Sequence, residues 1–535
     1  MNTSDLINLL CLPQSYPHPV EVITTIETHI SMVFLTGTYA YKLKKPVDFG
    51  FLNFSTLALR KKYCYLELQL NQRYSPQLYL EVVAVYLDQH NHISWQPTAS
   101  YPNPIEYLVK MKQFDPNEVL GKKLQTESLN TQQTEALAGL IATFHQSAEP
   151  LYNNIALSQT ELGMPKTLLH PMLDNFPTLY THFKSDDIPH LNTLERWTQQ
   201  QFKALAPFML ERRNKGYVRA CHGDLHIDNM TLINHQPVLF DGIEFNETFR
   251  WIDVISDIAF LLIDLDFRKK KRLTRTILSL YLSQTVDYNA LKLLTFYQVY
   301  RALVRAKITT LRATQLPPKS LEKSHLMQIS HQYMHLALSY IQPKHQAHLI
   351  LLQGVSGSGK SYFANQLLTL VNAIVLSSDR VRKQLYGISP LHRVSKNEKK
   401  KLYSAKMNQK VYQTLLEQAK QILSFGFNVI IDGTFLHHKH RTPFYELCNH
   451  LNQPVSYGVI YIKTSKTLAT LSIESRQHLD NNPSDANVSV MLNQYQQIEP
   501  PKNNENALIL DAQQLRQFFP KPLIQEFLNR PIPSI

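Results

Sequence analysis

The sequence predicts two domains of different class: an α+β domain with a small and a helical lobe, then an α/β domain on a parallel sheet. Strand-like alternation runs from Val20 to Lys112 and gives way to mostly helical periodicity from about Thr131 to Ile341. Past the break "IQPKHQAH" (Ile341 to His348), short apolar strands alternate with helical stretches, as in a parallel sheet covered by helices. The chain also has 535 residues, more than one core usually organises. The expected division is therefore 1–342, with lobes at about 20–112 and 113–342, and 347–535.

In the small lobe the strands are "HISMVFL", "TYAYKLKK", "YLEVVAVYL" and "EYLVKMKQF", interrupted by one helical stretch from Ser55 to Tyr74. Within the helical lobe, "HGDLHIDNMTLINHQPVLFDGIEF" reads as loop, strand, turn, strand. The second domain offers "LILLQ", "AIVLSS", "NVIIDGTF" and "VSYGVIYIK" as strands, with helices between them. No internal repeat or low-complexity tract interrupts this order.

Hydrophobic residues at 44% and charged residues at 18% are a globular balance, which excludes a disordered chain. The cysteines Cys11, Cys64, Cys221 and Cys448 lack ligand spacing, so neither a disulfide framework nor a zinc site is expected. The amino-terminal residues lack a basic leader and a long apolar core, and do not read as a signal peptide. The best membrane candidate, "WIDVISDIAFLLIDLDF", carries Asp253, Asp257, Asp264 and Asp266. A soluble, cytoplasmic protein without membrane contact is expected. The net charge of +13 is uneven: from Lys344 onward 22 Lys and Arg face 12 Asp and Glu, against 33 and 30 before it. That asymmetry admits nucleic acid as a partner of the second half, although runs such as "KNEKKK" also suit plain solvated surface.

Two constellations carry chemistry. In "HGDLHIDN" (His222 to Asn229), Asp224 and Asn229 stand in D-x-x-x-x-N spacing, and twelve residues further "PVLF" delivers Asp241 and Gly242. These spacings match a catalytic loop in which the Asp accepts a substrate hydroxyl proton while the Asn and a second carboxylate hold magnesium. His-Gly-Asp in this setting, with "FDGIEFN" and "DIAFL", resembles the aminoglycoside phosphotransferase-like family, which shares the protein-kinase fold. The resemblance covers most of residues 20 to 340. It implies Asp224 as base, Asn229 and Asp241 as magnesium ligands, and His222 and Asp257 as supports of the loop. It also implies a strand lysine on the α/β-phosphates and a helix glutamate that orients it. Lys42 and Lys44 share a strand face; Lys42 with Glu67 fits the pattern better. "EYLVKMKQF" would be the hinge that meets adenine. No G-x-G-x-x-G precedes Lys42, only Thr36-Gly37-Thr38 in a turn. Arg301 and Arg305, four apart on one helix face, suit either an anion pocket or a brace for the acidic residues near Asp264.

The second constellation, "GVSGSGKS", satisfies G-x-x-x-x-G-K-[ST] between an apolar strand and a helix. The backbone of Gly354, Val355, Ser356, Gly357, Ser358 and Gly359 would cradle phosphates at a helix N-terminus, Lys360 would reach the β/γ-phosphates, and Ser361 would bind magnesium. At the end of the next strand "SSDRVRKQL" places Asp379 and Arg382, suited to accept a proton and to hold an anionic substrate group. "NVIIDGTF" adds Asp432, a further metal-ligand candidate, and Thr434, a substrate-binding one; Arg476 suits a lid. Residues 347 to 515 resemble the small P-loop kinases of the gluconate kinase, polynucleotide kinase and zeta-toxin-like type, which implies Asp379 as base and Arg382 and Arg476 as clamp and lid. The pairing of both modules resembles a family of bacterial bifunctional kinases. It implies ATP and Mg2+ as cofactors and transfer of the γ-phosphoryl group to a hydroxyl acceptor by each module. Two alternatives stay open. One is an amino-terminal pseudokinase-type sensor that regulates the second half; the other is a second half that binds nucleic acid or phosphorylates its 5′-hydroxyl ends.

Overall fold

The computed structural model describes residues 3–50, 52–99, 101–342, 346–389, 392, 394–477 and 484–530. The chain divides into two compact units, 1–264 with 296–338 and 265–295 with 339–535.

In the first unit, strands β1 (Thr24–Glu27), β2 (Ser31–Leu35), β3 (Tyr39–Lys44), β4 (Tyr79–Leu87), β5 (Ile93–Ser94) and β6 (Glu106–Lys112) form one sheet in the order β1-β2-β3-β6-β4-β5. Its neighbouring strands are antiparallel. Side chains alternate across a strand, so Tyr41 and Leu43 enter a core with Phe34 and Leu108 on one face, while Lys42 and Lys44 turn to the other. That second face is covered by helix Leu57–Asn71, which starts where Thr56 Oγ1 accepts from Leu59 N at 3.3 Å and buries Cys64, Glu67 and Leu70. One helix across the sheet face opposite the Tyr41–Leu43 core is thus read from the period-2 and period-3.6 patterns.

The helical lobe includes helices Thr131–Ser147 and Ile188–Asn214, followed by β7 (Val218–Ala220), β8 (Met230–Ile233), β9 (Gln236–Leu239) and β10 (Trp251–Asp253). Strands β8 and β9 form a hairpin whose two turn residues, Asn234 and His235, have φ of 51° and 63°, the left-handed pair that a tight hairpin of this length needs. Strand β7 pairs with β10 and anchors the loop that begins at His222. The first unit therefore has the bilobal, protein-kinase-like arrangement that its sequence resembles.

The second unit is a P-loop type α/β fold. Strands β11 (Ala347–Gln353), β12 (Ala373–Ser377), β13 (Asn428–Asp432), β14 (Val455–Lys463) and β15 (Ala507–Asp511) form a parallel sheet in the order β12-β13-β11-β14-β15. Ile350, Leu352, Ile430 and Ile460 pack on Phe363 and Leu367 of the helix that follows β11. The edge strand β15 was not among the expected strands. Its burial alternates along "ALILD", as suits a strand at the edge of the sheet. Helix Lys271–Thr285 belongs to this unit as well: Ser279 Oγ accepts from Val375 N at 3.1 Å, and Arg275 donates to the carbonyl of Leu368. The expected division at 342/347 differs from this grouping by the excursion 265–295.

The second unit also holds a buried cluster of Arg441, Tyr445 and Glu505. Arg441 Nε and Nη2 donate to Glu505 Oε1 and Oε2 at 2.7 and 2.8 Å, and Tyr445 Oη donates to Oε1 at 2.6 Å. Burial opposes ionisation of Glu505, but the bonds from Arg441 and Tyr445 outweigh it and bring the carboxyl down to about 2. Because this folded value lies below the unfolded one, the contribution is complete above about pH 4.3 and is lost as pH falls toward 2. Glu505→Ala strands a buried guanidinium and is expected to cost about 3–5 kcal/mol. Denaturant unfolding of the full chain should show that loss at pH 7, with the gap to wild type narrowing as pH falls from 5.

Candidate functional sites

Lys42 and Lys44, two residues apart on β3, meet Glu67 from the covering helix. Lys42 Nζ donates to Glu67 Oε1 at 2.8 Å and Lys44 Nζ donates to Oε2 at 2.6 Å. Lys42 is bonded further to Asp241, and Lys44 to Glu244. Five side chains thus alternate in charge from Asp241 through Lys42, Glu67 and Lys44 to Glu244. Burial disfavours both ammonium groups, yet the adjoining carboxylates outweigh it and hold both above the ordinary lysine range. Glu67 is pushed down to about 2, because Lys42 and Lys44 together exceed the effect of its own burial. Glu244 was not singled out in the sequence, although "FDGIEF" places it three residues past Asp241.

The loop carrying Asp224 hangs from Asp257. This fully buried carboxylate accepts from His222 N at 2.9 Å and Gly223 N at 3.0 Å, and His145 Nε2 lies 3.1 Å from its Oδ2. Gly223 is required there: its φ is +85°, and a Cβ would stand 2.7 Å from the carbonyl oxygen of Phe249. His222 Nε2 lies 2.9 Å from the Phe240 carbonyl, which ties the loop to the strand that delivers Asp241. Asn229 Nδ2 donates to both Asp224 O and Asp224 Oδ2, at 3.0 and 3.2 Å. His226, a neighbour the sequence did not single out, brings Nε2 to 3.3 Å from Asp224 Oδ2. Burial would raise the Asp224 carboxyl, but His226 and then Arg305 overcome it and hold Asp224 well below the usual carboxylate range. Asp241 sits at φ +62°, its amide donating to Tyr79 Oη at 2.9 Å, and leaves 46% of its side chain exposed. Removing the anchor, Asp257→Ala, leaves two buried amides unpaired and is expected to destabilise the first unit by about 3 kcal/mol. Thermal unfolding with tryptophan fluorescence of the full chain measures this.

Lys42, Asp224 and Asp241 open onto one cavity of about 910 Å³ in the first unit. Arg301 and Arg305 line it too, and both also brace the loop region. Arg301 Nη1 donates to Gly223 O at 3.3 Å, and Arg305 Nε donates to Tyr333 Oη at 3.4 Å, with Tyr333 in turn donating to Asp264 at 3.0 Å. The segment from Glu106 to Phe114 does not line this cavity. Its Gln113 accepts from Gly37 N at 2.8 Å, which fastens the turn standing where a glycine-rich loop was sought.

In the second unit Gly354 to Ser361 connect β11 to helix Lys360–Leu367. Gly357, at φ +83°, would bring a Cβ to 2.6 Å from the Ala469 carbonyl. Val355 packs with Ala469, Ile473 and Met491, Ser356 N donates to Gln494 Oε1 at 2.7 Å, and Ser358 Oγ is buried without a hydrogen-bond partner among the described residues. Lys360 Nζ curls back onto the carbonyls of Gly354 and Val355, at 2.9 Å each. Ser361 Oγ donates to Asp432 Oδ2 at 2.6 Å, so the loop hydroxyl meets the carboxylate from the end of β13. Thr434 accepts from Gly354 N through its carbonyl, at 3.3 Å.

Asp379 lies in the first turn of helix Ser378–Tyr386, whose N-cap is Ser377; capping therefore falls to Ser377. Arg382 is buried, with Nη1 donating to Leu402 O at 2.8 Å and Asn408 Oδ1 at 2.6 Å, while Nε has no hydrogen-bond partner among the described residues. Arg476 falls on helix Lys466–Gln477, but its side chain lies outside the described residues. Among the described residues no helix is long and apolar enough to cross a membrane.

A family model described as an AAA domain matches residues 349–501. Uncharacterized proteins of Mycobacterium tuberculosis and Mycobacterium bovis are each 30% identical to the chain over 423 residues, covering 78% of it and 80% of the relative. A choline/ethanolamine kinase family protein from Mesorhizobium loti aligns with 64% of the chain and 96% of its own length, at 11% identity and a TM-score of 0.38. A gluconokinase from Sinorhizobium meliloti aligns with 35% of the chain and 91% of its own length, at 14% identity and a TM-score of 0.24.

Proposed function

The chain belongs to one family with those mycobacterial proteins, and from that membership and the two sites we propose that it is a kinase with two phosphotransfer modules, each moving the γ-phosphoryl group of ATP to a hydroxyl. The observation that supports this reading most is the first-unit constellation: Lys42 joins Glu67 to Asp241, and Asn229 holds Asp224 at the same cavity. Lys42 binds and orients nucleotide phosphates, and Glu67 keeps it aimed. Asp224, ionised at neutral pH, accepts the acceptor's hydroxyl proton as the new O–P bond forms and the bond to the ADP oxygen breaks. In the second unit the P-loop amides and Lys360 hold phosphates, and Asp379 is the base.

Magnesium fits the oxygen donors at both places: Asn229 and Asp241 in the first unit, and Ser361 with Asp432, 2.6 Å apart, in the second. Bound there, it would neutralise charge on the β- and γ-phosphate oxygens. Arg382 and Thr434 would face the acceptor, with Arg476 as lid. The Thr36-Gly37-Thr38 turn, in place of a glycine-rich loop, favours a second reading in which the first unit senses nucleotide without transferring phosphate. Asp241→Ala in a chain also carrying Lys360→Ala should weaken Mg-ATP binding by at least about tenfold, measured by calorimetric titration. Unchanged binding would remove Asp241 from the site. Binding without Asp224-dependent transfer would favour the sensor.

A further inference from the structure

The part of the first cavity beyond Asp224 is walled by helix Leu291–Thr314, which presents Arg301, Arg305 and Lys307 to it. Arg301 and Arg305 have protein partners. Lys307 is half-buried and makes no hydrogen bond or ion pair among the described residues. Burial lowers its pKa, and the more distant Asp174 offsets this only in part. Of the other acidic groups lining this part of the cavity, Glu161 pairs with Lys166, and Asp174 is more than half exposed with Oδ2 3.8 Å from His170 Nδ1. An acceptor carrying positive charge would meet three cations on this helix, Arg301, Arg305 and Lys307. An acceptor carrying negative charge would complete the wall.

Resting on the kinase reading of this site, we propose that the hydroxyl acceptor of the first unit is an anion, an alcohol bearing a carboxylate or phosphate group that Lys307 receives, with Arg301 and Arg305 beside it. Lys307 then selects the acceptor and takes no part in holding ATP.

Four six-carbon polyols of matched size test this on the full chain carrying Lys360→Ala: gluconate, sorbitol 6-phosphate, sorbitol and glucamine. Gluconate or sorbitol 6-phosphate should exceed both sorbitol and glucamine by at least about tenfold in kcat/KM for Mg-ATP-dependent phosphorylation, and which of the two leads tells carboxylate from phosphate. Lys307→Met should erase that preference and leave the KM for ATP unchanged; as the lysine has no protein partner, the variant should fold. Preference for sorbitol or glucamine, a preference that survives Lys307→Met, or turnover of none of the four would overturn the inference. Asp224-dependent ATP turnover persisting through any of those results would keep the kinase reading intact, whereas its absence would end both.

Discussion

Asp224→Asn is expected to lower the phosphoryl transfer proposed for the first unit about 10²- to 10⁴-fold, the range for losing a positioned general base, and to leave Mg-ATP affinity close to wild type. The split follows from the geometry. Phosphates are assigned to Lys42, which is tied to Glu67 and Asp241, and Asp224 is tied to Asn229 and His226. The amide keeps the size and still accepts a hydrogen bond but cannot take a proton. His226 gives the prediction a pH signature. Its pKa is raised, with burial opposing and Asp224 prevailing, so Asp224→Asn removes the group that raises it and the histidine should titrate at lower pH in the variant. Histidine NMR shifts of the full chain read this without relying on turnover. Wild-type transfer by Asp224→Asn would remove Asp224 as the base.

Lys360→Ala is expected to weaken ATP binding at the second unit and to lower its turnover by at least about 10²- to 10³-fold, because the role proposed for the lysine is to contact phosphates in both the ground and transition states. Asp379→Asn should do the reverse, keeping ATP affinity and losing about 10²- to 10⁴-fold in transfer. Ser377 is the helix cap, so the asparagine should not unravel the helix, and circular dichroism should match wild type. Normal transfer by Asp379→Asn would point to a P-loop ATPase in which Asp379 has no part in the chemistry.

The motif positions were legible because phosphate and magnesium chemistry imposes fixed spacings on short stretches of chain. The pairing of Lys42 with Glu67 comes from the family resemblance, since strand period alone puts Lys42 and Lys44 on one face, and the meeting of Ser361 with Asp432 follows from adjacent parallel strands. Glu244 and Lys44 were harder. Their bond joins residues 200 positions apart, and nothing local distinguishes a lysine that completes a buried charge chain from one at the surface. The D-x-x-R spacing marks Arg382 as a clamp candidate, and spacing does not report that Leu402 and Asn408 also come within its reach. The excursion 265–295 was hidden for a related reason. Helical periodicity shows which face of Lys271–Thr285 is apolar but not which sheet will cover it, and Ser279 finds its partner on β12.

The two-site account is tested most directly by transfer from γ-labelled ATP to fractionated acceptors, using the full chain as wild type, Asp224→Asn, Lys360→Ala and the double variant. Two labelled products are expected from wild type, each single variant should lose one of them by at least about 10²-fold and keep the other, and the double variant should make neither. A wild-type pattern from Asp224→Asn, or loss of both products in either single variant, would contradict two separate phosphotransfer sites.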